Sequence, residues 1–398
     1  MLKPLTKTNR RLLPLYIAAF FQGIPFWYAI EKLFMLDIGF NTASIGLMVA
    51  VMSIAMLAIE TPSGILADRW SRKGVMILGC MALLLSGIIG VLSFNQPMYI
   101  LSTVFWGVYA AFYSGTYDAV IYDVAMEEDG SSKKFETYLG RFRAFEGVSF
   151  VIGGLMGGFI ASAFEIRDTY IFSIPLIAIA FIFLWRFKEP TLHKAEASEP
   201  VFKHIRQTFA AVLRNPTLLP IVIATVGFFV LQETLFELSQ LWFISVAAPI
   251  ALYGVFSAAI FSSWTTGGLL AARIRSKASE SFVVVVLLGM IIILATAQHF
   301  SLVLIAQFVL AIFLIALGVI LAKKMHDELP SKLRAGSSSV ISTLARIIII
   351  PGSLLFTAVA TEAPIANATY LLLGLGIISS IAFICIKNKD VESAIFKS

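Results

Sequence analysis

GILADRWSRK, residues Gly64–Lys73, returns 204 positions later as GLLAARIRSK, residues Gly268–Lys277. Gly64 matches Gly268, Leu66 matches Leu270, Ala67 matches Ala271, Arg69 matches Arg273 and Lys73 matches Lys277, while Asp68 is replaced by Ala272. A second echo links Arg143 to Arg346 at almost the same offset. Two matches at one spacing indicate a duplicated unit about half the chain long.

The surroundings of both copies are strongly apolar. Of 398 residues 59% are hydrophobic and only 14% charged, against about 25% charged in an ordinary soluble chain. This excludes a soluble globule. One membrane-spanning helix needs about 20 mostly apolar residues. Such stretches lie near residues 13–38, 42–66, 75–94, 97–125, 138–164 and 168–187, and again near 216–246, 249–272, 281–298, 300–322, 336–360 and 365–386. The expected fold is an all-α polytopic membrane protein with twelve transmembrane helices in two pseudo-symmetric six-helix bundles. The bundles cover residues 1–187 and 216–398, with a cytoplasmic linker at 188–215. At the end of that linker VFKHIRQTFAAVLRNP (residues 201–216) reads as an amphipathic helix on the membrane surface.

All but four of the 30 basic residues fall in the N-terminal segment, the linker, the C-terminal tail and the loops on their side of the predicted spans. The exceptions are Arg167 in an opposite loop and Lys32, Arg143 and Arg346 within spans. This asymmetry predicts a plasma (inner) membrane protein with both termini cytoplasmic. The net charge of +6 is therefore topological and calls for no nucleic-acid partner. Cys80 and Cys385 sit in apolar runs, and His193, His204, His299 and His326 share no metal spacing. Neither a metal nor another cofactor is expected. Without a G-x-x-x-x-G-K-[ST] loop, ATP-driven pumping has no support, and nothing points to an enzyme.

GILADRWSRK, placed between the second and third of twelve spans, resembles the loop signature of the major facilitator superfamily, with Ser71 where a second glycine is usual. The degenerate copy after span eight is similar to that family's second repeat. The resemblance implies transport by alternating access between two bundles. It also implies that Gly64 permits close helix approach and that Asp68 caps span eleven and pairs with a nearby arginine such as Arg72. Gly64, Asp68, Arg69, Arg72 and Lys73 then form a gating latch. SFVIGGLMGG (Ser149–Gly158) resembles the antiporter motif of the family, with Ser149 and Gly154 at positions of a usual glycine and proline. The other reading of this stretch is a small-residue seam for helix packing. Thr103 stands where the drug-antiporter pattern has an arginine, so that subgroup's proton route does not carry over.

Charged residues inside spans are expensive and mark paired or functional positions. Near the cytoplasmic ends, Asp123 or Asp118 is expected to pair with Arg141 or Arg143, and Arg346 to do the matching job in the second half. Spans one, four, seven and ten line the cavity in the family that the chain resembles. There Glu233, Glu237, Glu31 and Asp118 are the candidates for proton coupling, because a carboxylate on a partly hydrated wall can exchange a proton as its surroundings change. A paired structural network around Glu31 and Lys32 is the alternative. Tyr109, Tyr113 and Tyr117 continue one helical stripe from Trp106, and with Gln22, Trp27, Phe236 and Gln240 they are the expected cavity lining. Aromatic walls with carboxylates suit a lipophilic or cationic solute. The expected function is a monomeric, proton-coupled secondary transporter in the lipid bilayer that exports such small molecules. A nutrient symporter or a lipid or siderophore-like exporter is the alternative.

Overall fold

The computed structural model describes residues 6–191 and 218–386, apart from residues 272, 275, 276, 329 and 330. Among these residues the chain is helical and no strand occurs. The first half contains α1 (Lys7–Gln22), a 3-10 turn (Phe26–Ala29), α2 (Glu31–Asp37), α3 (Thr42–Arg69), α4 (Arg72–Leu92), α5 (Gln96–Tyr113), α6 (Thr116–Asp129), α7 (Phe135–Ala163) and α8 (Asp168–Arg186). The second half contains α9 (Leu219–Ser245), α10 (Ile250–Ala271), α11 (Lys277–Thr296), α12 (Phe300–Glu328), α13 (Ser331–Glu362) and α14 (Ile365–Ile384). The amphipathic helix expected at residues 201–216 lies outside the described residues, as does the tail from residue 387.

Among the described residues nine helices are long and apolar enough to cross a membrane. Two of the expected spans are not single helices. Span one breaks after Gln22 at Gly23-Ile24-Pro25, where Pro25 (φ −53°, ψ 117°) has no N–H to continue the ladder and the chain turns through Phe26–Ala29 before α2. Span four breaks at Ser114-Gly115, where Gly115 adopts φ +74°, a left-handed conformation open to glycine at little cost. Span eight, α10, is continuous but carries Ser262, Ser263, Thr265 and Thr266 near its end.

The two halves repeat one packing pattern. In the first, α1 lies against α7 and α8, α3 against α5, and α4 against α5 and α8. In the second, α9 lies against α13 and α14, α10 against α12, and α11 against α12 and α14. The halves meet along α3 with α13 and α7 with α10, two contacts exchanged by the same pseudo-two-fold relation. We call the end where α1 begins and α3 passes into α4 the basic end, and the other the far end.

Small residues bring the halves together toward the far end. A Cβ on Gly46 of α3 would stand 1.8 Å from Thr357 Oγ1 of α13, and one on Gly158 of α7 would stand 2.4 Å from the backbone nitrogen of Gly254 in α10. The SFVIGGLMGG stretch is thus two-sided. Gly153 and Gly157 press on the backbone of Ile24 and Phe26 in the broken span one, while Gly154 and Gly158 press on Ser257, Ala258 and Gly254 of α10. Steps of four along a helix keep each pair on its own face. Gly64 corrects the expectation of close approach at the loop signature, because a Cβ there meets nothing within 4 Å.

At the basic end α1 is stapled to α6. Arg11 and Lys7 reach Glu128 at 2.6 and 2.8 Å, and Thr8 Oγ1 and Tyr138 Oη donate to Asp129 at 2.7 Å each. The contacts from Lys7 and then Arg11 hold the Glu128 carboxyl below its ordinary value, and those from Thr8 and then Tyr138 do the same for Asp129. Lowered carboxylates contribute stability above their unfolded values and lose it as pH falls through the folded ones, so this staple loosens only in acid below the usual carboxylate range. Glu189, where the chain leaves α8, accepts from Ser71 Oγ at 2.8 Å and from the Lys73 N–H at 3.1 Å, tying the loop signature to the end of the first half.

The glycine seam yields a direct test. Gly158→Leu should lower the melting temperature of the purified protein by several degrees, since overpacking costs about 1–3 kcal/mol, whereas Gly64→Ala should leave it unchanged. Equal effects of the two, read by thermal unfolding in detergent, would contradict this seam.

Candidate functional site

Between the halves lies a cavity of about 660 Å³. Its far end is closed by the broken span one, and the break explains how. Ending α1 early leaves backbone groups that no water in a bilayer core can satisfy. Gln240 of α9 holds the junction between the 3-10 turn and α2, its Oε1 accepting the Lys32 N–H at 2.9 Å and its Nε2 donating to the Tyr28 carbonyl at 3.0 Å. One side chain of the second half therefore holds the main chain of the first.

Charge reinforces that contact. Lys32, only 1% exposed, pairs with Glu31 at 2.5 Å and lies 3.9 Å from Glu237, one turn before Gln240 on α9. Tyr99 Oη donates to the other oxygen of Glu31 at 2.9 Å and hydrogen-bonds Tyr170 Oη at 2.7 Å. Lys32 is thus the buried centre of a Glu31–Lys32–Glu237 bridge across the two halves, in line with the paired network that the sequence offered around Glu31 and Lys32.

Toward the basic end, α6 and α7 form a second charged group. Arg143 donates to Asp118 and to Glu146, each at 2.8 Å, and Tyr113 Oη donates to the other oxygen of Glu146. Arg143 and Asp118 are 49% and 40% exposed at the side chain, so the cavity is open to water on this side. The acid expected to meet Arg141 or Arg143 is split between two sites. Asp118 meets Arg143, whereas Asp123 is held by Arg72 of α4, which lies beside α6, and Arg141 donates to Asn9 at 2.7 Å.

Glu31, Asp118, Glu233 and Glu237 all line the cavity, as do Tyr109, Tyr113, Phe236 and Gln240. Gln22, Trp27 and Tyr117 do not, and the two span breaks are the reason. Tyr117 follows the break at Gly115, turns inside the first half and donates its hydroxyl to Gln22 Oε1 at 2.8 Å, with both residues buried. Trp27 sits in the 3-10 turn and stacks flat on Tyr170, with centroids 4.7 Å apart. Among the latch residues, Arg69 is exposed and Lys73 Nζ donates to the Trp185 carbonyl at 2.6 Å, while the side chain of Asp68 lies outside the described residues.

Arg346 does not mirror Arg143. It is buried at 9% exposure, no ion pair joins it to an acid among the described residues, and its Nε has no hydrogen-bond partner there. The repeat offset places Ile349 where Glu146 would have its counterpart and Leu321 where Asp118 would, so the matching acids are missing. Its guanidinium lies within electrostatic reach of Glu233 and Glu237. Among the described residues Glu233 has no basic side chain within ion-pair distance, unlike Glu31, Glu237, Asp118 and Glu146. Residues from span eight were missed altogether. Ser257, Phe261 and Trp264 of α10 line the cavity, with Phe150 of α7 stacked on Phe261 at 4.8 Å. The polar run SSWTTGG (residues 262–268), which holds Trp264, was the signal in the sequence.

The profile of the Major Facilitator Superfamily matches residues 12–389. The chain belongs to that superfamily. Its members are membrane transporters rather than enzymes. Among curated relatives, a multidrug resistance protein 2 of Bacillus subtilis (strain 168) is 29% identical over 160 residues, which is 40% of this chain and 38% of the relative. The quinolone resistance protein NorA of Staphylococcus aureus (strain MRSA252) is 26% identical over 176 residues, 44% of either chain. The matched segment thus spans less than half the length of these relatives. Among solved structures, the nucleoside transporter NupG superposes with a TM-score of 0.77 at 16% identity, over 96% of this chain and 100% of the other. A D-xylose-proton symporter gives 0.71 at 12% identity, over 94% and 97%. At such identities these likenesses describe the fold.

The bridge at the far end predicts a non-additive response. Lys32→Met leaves Glu31 and Glu237 without their shared cation, and removing one partner of a buried ion pair costs about 3–5 kcal/mol. Adding Glu31→Gln should recover a substantial part of the lost thermal stability. Strictly additive losses in that double-mutant cycle would dissolve the bridge.

Proposed function

We propose that the chain is a proton-coupled exporter of small lipophilic or cationic compounds, working by alternating access. One observation carries the reading. Among the described residues five carboxylates, Glu31, Asp118, Glu146, Glu233 and Glu237, share the cavity wall with a single basic residue, Arg143, and with aromatic rings such as Tyr28, Trp106, Tyr109 and Phe236. An acid excess in a confined, poorly screened space attracts cations, and ring faces add cation–π attraction and apolar contact. The names of the curated relatives, multidrug and quinolone resistance proteins, support the same reading.

Orientation follows from the placement of basic residues: the basic end faces the cytoplasm of a cell whose plasma membrane the protein spans, with both termini on that side. On this reading the water-open basic end is the inward-facing mouth of a transporter that works as a monomer. A cationic solute entering from the basic end meets Asp118 and Arg143 first, then Glu233, then the far-end bridge. By drawing Glu237 away from Lys32 it weakens the closure at the far end. Glu233 is the proposed proton carrier, because an acid without an ion-pair partner among the described residues gains most from binding either a proton or a cation. Solute and proton compete for it, which is the requirement for exchange in opposite directions.

In proteoliposomes holding an imposed pH gradient, the unsubstituted protein should accumulate ethidium against its concentration gradient. Glu233→Gln should still exchange bound ethidium yet lose gradient-driven accumulation. Accumulation by Glu233→Gln equal to that of the unsubstituted protein would place the carrier elsewhere. A pH gradient without effect on the unsubstituted protein would reduce the function to facilitated diffusion.

A further inference from the structure

Arg346 of α13 is a buried cation that does not line the cavity, and among the described residues it has no ion-pair partner. A charge inside a bilayer needs a counter-charge or water. Helix α13 packs on α3, α9 and α14, and α14 carries no charged side chain. The acids on the helices against α13 are therefore Glu60 and Asp68 of α3 and Glu233 and Glu237 of α9. Two of them are removed by position. Glu237 has Lys32 at 3.9 Å, and Asp68 follows Glu60 by two turns toward the basic end, about 12 Å along α3.

The two that remain share a property. Among the described residues neither Glu233 nor Glu60 has a basic side chain within ion-pair distance, unlike Glu237, Asp123, Asp118 and Glu146. Glu60 is half-buried and accepts from Ser342 Oγ of α13 at 3.1 Å, across the boundary between the halves. Ser342 precedes Arg346 by four residues, one turn or about 6 Å along one face of α13. Cα–Cβ bonds in a helix tilt toward its N-terminus, which on α13 is the direction of Ser342, so Glu60 lies within the length of an arginine side chain. In the present state the guanidinium is within electrostatic reach of Glu233. Arg346 thus stands between one acid of its own half and one of the other, each lacking a cation of its own.

We infer that Arg346 is a positioning residue with two alternative counter-charges, serving Glu233 while that acid is ionised and turning to Glu60 once a proton or a cationic solute occupies Glu233. Loading Glu233 leaves the arginine an unbalanced buried charge, a costly arrangement, and Glu60 is the acid placed to relieve it. The new pair joins α13 to α3 on the side of the membrane where the cavity is open to water. Occupancy of Glu233 is thereby converted into closure of the basic end. The inference deepens the exporter reading by naming what links Glu233 to movement of the halves, and it rests on that reading for the identity of the load.

The test reads the halves directly, on the full chain in lipid vesicles, by pulsed electron resonance between spin labels at Lys133 and Lys323, both exposed at the basic end. Glu233→Gln imitates the loaded acid and should raise the short-distance population several-fold over that of the otherwise unsubstituted protein. Adding Glu60→Gln or Arg346→Gln should abolish the rise, whereas adding Arg346→Lys, which keeps the charge, should preserve most of it. Should Arg346→Gln fail to fold, Glu60→Gln, at a half-buried position, still decides the matter. A rise that survives Glu60→Gln undiminished, that is lost with Arg346→Lys, or that never appears in Glu233→Gln would overturn the inference. Ethidium accumulation under a pH gradient is measured with the unsubstituted protein in the same vesicles. Its absence alongside a Glu60-dependent rise would refute the exporter reading and leave the exchange of partners by Arg346 standing.

Discussion

Gln240 gripping the interrupted backbone of span one is the contact on which the closed far end depends. A helix broken inside a bilayer exposes donors and acceptors that lipid cannot satisfy, so the break persists only where protein supplies partners. Here the partner comes from the opposite half, and Lys32 adds a charged bridge to Glu31 and Glu237 beside it. The same contact satisfies the backbone and holds the halves together. Anything that separates the halves must also rehydrate or re-pair those groups.

The glycines of α7 belong to this arrangement. Gly153 and Gly157 let the turn of span one lie against α7, and Gly154 and Gly158 let α10 approach the opposite face. One helix thereby positions both the break and the boundary between the halves. Because these approaches are backbone to backbone, they contribute little that depends on charge or hydration. The bridge is the charged part of this interface, and the seam is its close-packed, uncharged part.

Much of this was legible in the sequence. The repeated loop, the matched arginines and the one-sided basic loops led to two six-helix halves because each is a local, periodic signal. Gly23-Ile24-Pro25 and Ser114-Gly115 were equally visible as helix-breaking residues, but averaging hydropathy over a whole span hides a break of three residues. Extending the stripe through Gly115 then carried Tyr117 to the wrong side, and treating residues 13–38 as one helix did the same for Trp27. Pairing was less legible. Helical spacing says which face Asp123 occupies, yet only the position of α4 beside α6 shows that Arg72 takes it. Arg346 inherited the place of Arg143 without its acids, a divergence that could have been read from Ile349 and Leu321.

The central claim is that Glu237 and Gln240 of α9 hold the far end shut. Spin labels at Phe94 and Phe300, both exposed near that end, report its width by pulsed electron resonance, and labels at Lys133 and Lys323 report the basic end. In the double variant Glu237→Gln, Gln240→Leu the far-end distance should shift to longer values while the basic-end distance shortens. Distance distributions identical to those of the unsubstituted protein at both ends would contradict the account.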